Sequence, residues 1–134
     1  MRDLLVPLPL GEIIDRLEIL RVKTKSLETQ ELRDLAKKQF IKFDQIVREL
    51  VSSITDSIDA NKLKELQEKL FQNHNEAWDL RDLVEEAHFK KDYELFWERH
   101  RKLHKYNVDR VKLKNLISAL LSKDEEELKN YIFN

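Results

Sequence analysis

The stretch FWERHRKLHKYNVDRVKLKNLISALL, residues 96–121, decides the fold. At about 100° per residue, Phe96, Leu103, Tyr106, Leu113, Ile117 and Leu121 fall on one stripe, as a core-facing helix requires. Three strongly polar residues share the middle of that stripe: Asn107, Arg110 and Lys114. Spaced i, i+3, i+7, they stack over successive turns. An unpaired cation in a protein interior costs several kcal/mol, so these side chains need partners or an opening to water. What faces them must supply carboxylates, carbonyls or a bound anion.

Upstream of this stretch, residues 60–89 predict a third helix. Leu63, Leu66, Leu70, Asn73, Ala77, Leu80 and Val84 hold nearly to a heptad seam, and Phe71 and Trp78 flank Asn75 and Asp82 on a second face. Lys90, Lys91 and Asp92 make a short turn, so the third and fourth helices should be antiparallel neighbours. A second helix is expected over 30–54, capped by Thr29, with Leu32, Leu35, Ala36, Gln39, Phe43, Ile46 and Leu50 inward. The connection 55–59 is rich in turn formers. A first helix over 12–27 follows Gly11 as N-cap and turns Ile13, Ile14, Leu17, Leu20 and Thr24 inward. Residues 1–10 read as an extended apolar arm, because Pro7 and Pro9 push their predecessors towards extended geometry. Ser122 and Glu125 have capping-box spacing, which predicts a short last helix over 124–131.

The bulk properties agree with an all-α reading. Only one Gly and two Pro occur among 134 residues, with 41% hydrophobic and 38% charged, and no alternating β-branched run is present. The expectation is one domain, residues 1–134: an antiparallel bundle of about four long helices with an N-terminal arm and a short C-terminal helix. Twenty-five basic against 26 acidic residues argue against a general nucleic-acid binder. The absence of Cys excludes disulfides, thiolate metal sites and thiol catalysis. The apolar run 4–10 is too brief for a signal segment or a membrane span, so a soluble cytoplasmic protein without membrane attachment is expected.

Candidate chemistry is sparse. His100 and His104 have the i, i+4 spacing that lets two imidazoles share a metal, and Glu85 with His88 repeats an E-x-x-H step. A di-iron bundle needs that step twice with two further Glu, and no second copy exists, so no metal or other cofactor is expected. The basic run 99–105 spreads around its helix as a solvated face. No Gly-rich phosphate loop or nucleophile elbow is present, and the chain leans away from being an enzyme. Chemistry by positioning alone stays open. Helical chorismate mutases work that way, and Ile14–Leu17 through Arg21 and Lys23 faintly resembles their first helix.

A fuller resemblance runs along most of the chain. Residues 11–23, GEIIDRLEILRVK, are similar to the opening G-E-L-I-D-K-[IL]-T-I-L-E-I-K of a small bacterial family labelled domain of unknown function 6165. Trp78 with Asp82 is similar to that family's L-W-x-x-E-D, residues 107–114 (NVDRVKLK) to its N-D-x-R-A-x-L-K, and Glu125–Glu127 with Tyr131 to its terminal E-E-K-x-Y. The sequence departs from it at Glu18, Arg21, His74, Arg81 and Val108. The resemblance implies an all-helical fold and names no reaction.

Two functional expectations follow. One is a non-enzymatic module that self-associates as a homo-oligomer through the apolar arm and the Phe71/Trp78 face, with its polar stripe serving as a buried network paired with acids such as Glu12, Asp15, Asp82 or Glu85. The other is a small-anion site for a phosphate, nucleotide sugar or carboxylate. It would be built from Asn107, Arg110 and Lys114, with Lys23, Asp15 and Glu12 from the first helix and Trp78 and Asp82 from the third.

Overall fold

The computed structural model describes residues 8–54 and 56–121. They form a bundle of four helices: α1 (Leu10–Ser26), α2 (Gln30–Ile54), α3 (Ser57–Phe89) and α4 (Tyr93–Leu120). No strand occurs among the described residues. The expected helix over 124–131 and the first seven residues of the arm lie outside them. None of the four helices is long and apolar enough to cross a membrane.

The helix starts follow from local chemistry. The Thr29 hydroxyl accepts the Leu32 N–H at 3.2 Å, and Asp92 Oδ1 accepts the Leu95 N–H at 3.2 Å. Asp56 Oδ1 accepts the Asp59 N–H at 2.9 Å, so α3 begins a turn before the expected 60. Gly11 is not the cap of α1: Pro9 holds that place, its carbonyl accepting the Glu12 N–H at 3.0 Å. The α3–α4 turn closes with Lys91 at φ 56°, a left-handed conformation that lets two long helices run back to back.

α1 is the hub. It packs against each of the other three helices, and α3 packs along α4. Leu10, Ile14 and Leu17 of α1 meet Val47 of α2, Leu63, Leu66 and Leu70 of α3, and Ile117 with Leu121 at the end of α4 in one core. The α3 seam is buried as its spacing predicts, Asn73 being half-buried with its amide donating to the Tyr106 carbonyl at 3.1 Å.

α2 departs from expectation. Ala36 is buried and Phe43 half-buried, but Leu32, Leu35, Ile46 and Leu50 are 46, 53, 61 and 38% exposed, and Gln39 is exposed. The helix is rotated so that Phe40, Val47 and Val51 turn to the core instead. The apolar arc of α2 is wider than the surface α1 offers, and one edge of it is left uncovered.

Candidate functional site

α1 carries acids at Glu12, Asp15 and Glu18, three residues apart and therefore stacked along one side of the helix. Two of them, Asp15 and Glu18, are buried, at 1 and 3% exposure. Each is met by residues from distant parts of the chain.

Asp15 sits at the centre. Arg110 clasps it as a fork, Nε donating to Oδ1 at 3.1 Å and Nη2 to Oδ2 at 2.7 Å. His74 Nε2 lies 2.7 Å from Oδ1. Burial pushes the Asp15 carboxyl upward, but the hydrogen bonds from His74 and Arg110, with their charges, outweigh it and hold the group below its usual value. The same contacts raise Arg110. Asp15 is therefore a fixed carboxylate, saturated by two donors groups from α3 and α4.

One turn earlier, Glu12 forms an ion pair with Lys114. Beside it α1 and α4 approach closely: the Gly11 N–H donates to the Ser118 hydroxyl at 2.9 Å. A Cβ at position 11 would overlap the Lys114 carbonyl oxygen and lie 2.6 Å from Ser118 Oγ. The single glycine of the chain is thus what lets the α4 backbone reach α1.

One turn later, Glu18 is less well held. Gln67 Nε2 donates to it at 3.3 Å and Arg21 Nη1 at 3.4 Å. Arg21 makes its shorter bond, 2.9 Å, to Glu68, and its guanidinium lies 3.9 Å from the Phe71 ring centre. Burial pushes the Glu18 carboxyl up to about 7, with Glu68 adding to the rise while Arg21 and Gln67 oppose it.

Of the residues singled out from sequence, Asp15 meets Arg110 and Glu12 meets Lys114. Asn107 and Asp82 are exposed, Lys23 and Trp78 are half-buried, and none of these four joins the cluster. Phe71 is likewise half-buried, under Arg21 and Lys25, so the Phe71/Trp78 face is only partly open. His74 was missed as a site residue. Its signal was available: it lies i+4 from Leu70 and three before Ala77, within the α3 seam. Among the described residues, no three His, Asp or Glu side chains gather where they could hold a metal.

The clasp can lock register, since one carboxylate ties three helices together and no buried side-chain N or O among the described residues is left without a partner. A scan against protein-family models finds no match, and comparisons with curated proteins and with solved structures find none either.

Proposed function

We propose that the protein is a non-enzymatic helical module that pairs with a second copy of itself along α2. The observation behind this is the exposed edge formed by Leu32, Leu35, Ile46 and Leu50, running about 27 Å along one helix. The edge is nearly self-complementary. Laid against an inverted copy, Leu32 meets Leu50, Leu35 lies beside Ile46, and Gln39 faces the half-buried Phe43. Behind it, the Asp15 clasp ties α1 to α3 and α4, and α2 packs on α1 through its other edge.

The small-anion reading on Asn107, Arg110 and Lys114 has less behind it. Asp15 and Glu12 already neutralise the two cations, and Asn107 faces solvent.

Light scattering across micromolar concentrations tests the pairing. Wild type should have twice the mass of the chain, and Leu35→Gln with Ile46→Gln should be monomeric with unchanged circular dichroism. The inverted arrangement brings Glu31 near Glu49 and Lys38 near Lys42 at the rim, so added salt should tighten the dimer. A monomeric wild type, or a dimer indifferent to the double substitution, would remove the reading.

A further inference from the structure

On the opposite side of α2 from that edge, a cavity of about 520 Å³ opens between α1, α2 and α3. Its walls include Leu17, Phe40, Val47, Val51 and Leu63, and Glu18 is the acid on its α1 side, 3% exposed. We propose that this cavity is a binding site for a small primary amine with an apolar body, its ammonium paired with the Glu18 carboxylate.

The argument is one of chemical complementarity. Glu18 is a buried carboxyl whose two donors stand at 3.3 and 3.4 Å, longer than a charge-assisted bond prefers. Arg21, the cation nearest to it, is drawn off by Glu68 and by the Phe71 ring. An ammonium in the cavity would supply the close positive partner that the fold does not, while the aliphatic and aromatic walls take up a hydrocarbon body. A carboxylate ligand would instead be brought up against Glu18. The volume suits a compact molecule, lying within the usual range for small-ligand sites.

The other charged groups around the cavity are Arg21 on α1, Asp44 and Arg48 on α2, and Lys64 and Glu68 on α3. Arg48 is paired with Asp44 at 2.8 Å and Arg21 with Glu68 at 2.9 Å, leaving Lys64 at the exposed mouth. Glu18 is the buried group among them, and it is the one whose protonation the ligand would change. With its carboxyl half-protonated near neutrality, amine binding must release a proton below about pH 7.

Benzylamine, with benzyl alcohol as its neutral counterpart, provides the probe. Titration calorimetry on the full chain should detect benzylamine and not benzyl alcohol at about pH 8, with affinity falling about tenfold per unit as pH drops below 7. Glu18→Gln should lose benzylamine binding while keeping its circular dichroism, and Asp44→Asn should retain it. Should Glu18→Gln fail to fold, the wild-type pH profile and a benzylamine-induced shift of the Glu18 carboxyl carbon in NMR decide the matter alone. Equal binding of the alcohol would overturn the proposal, as would no heat from benzylamine at about pH 8. Binding without pH dependence, or binding lost in Asp44→Asn and kept in Glu18→Gln, would overturn it too. Because the dimer edge lies across α2 from the mouth, the self-association experiment can fail without affecting this one.

Discussion

α1 and α2 invert the usual assignment of polar and apolar residues. α1 has 17 residues, and eight of them are buried, including Asp15, Glu18 and Thr24. α2 has 25 residues, and only Ala36 and Val47 are buried, while five of its large aliphatics (Leu32, Leu35, Ile41, Ile46 and Leu50) are more than a third exposed. The short helix is central because three neighbours surround it; the longer one is peripheral because it leans chiefly on α1. Position in the bundle, more than composition, sets what each helix hides. A buried carboxylate is tolerated in α1 because Arg110 and His74 arrive from two other helices to satisfy it. An exposed leucine row in α2 costs little in the folded monomer, and it becomes useful if another surface covers it.

That contrast can be broken most forcefully at the clasp. Arg110→Met leaves Asp15, 1% exposed, with His74 as its remaining donor, and should destabilise the protein by about 3 to 5 kcal/mol in urea unfolding. A neutral or stabilising outcome would mean that the carboxylate does not depend on Arg110. The Asp15 contribution also has a pH signature. Its folded value lies below the usual one, so its stabilisation is complete above about pH 5 and is lost as pH falls through the folded value.

Gly11→Ala should rank next, at about 2 to 3 kcal/mol, because its Cβ meets the α4 backbone as well as Ser118 Oγ, and the backbone cannot swing aside. A Tm equal to wild type would show that α1 and α4 can separate without loss.

Glu18 should respond in the opposite sense. Its carboxyl is raised from 4.5 to about 7, so the unfolded chain gives up its proton first as pH rises. This group's contribution to stability therefore falls between those two values and levels off above the higher one. Glu18→Gln removes that penalty and should stabilise by about 2 kcal/mol at about pH 8, with little effect at about pH 4. Equal effects at both pH values would refute an elevated Glu18.

The smallest effect belongs to α2. At concentrations low enough to keep the chain monomeric, Leu35→Gln with Ile46→Gln should change unfolding free energy by no more than about 0.5 kcal/mol per site. A loss several times larger would mean that this edge is part of the core.

Much of the fold was legible in the residues. Thr29 starts α2 where expected, the run 90–92 turns α3 into α4, and the α3 seam is buried as spaced. Pairing of the α4 cations with acids was also among the readings: of the four acids named, Asp15 and Glu12 on α1 make the pairs, while Asp82 and Glu85 on α3 are exposed. His74 was not among the readings: its spacing from Leu70 and Ala77 marks it as inward, but the partner that gives it a role, Asp15, lies 59 residues away.

The sequence by itself determined where helices run and which arc of each is apolar, because capping, turn chemistry and 3.6-residue periodicity act within a few residues. Only the tertiary structure decided which part of each arc is covered. Periodicity marks α2 as apolar over nearly half its circumference, and the narrower surface of α1 can bury only one edge of that. It also decided that Asp15 is paired closely while Glu18 is not. Their places on α1 are equivalent in sequence, and their difference lies in which side chains α3 and α4 bring within bonding distance.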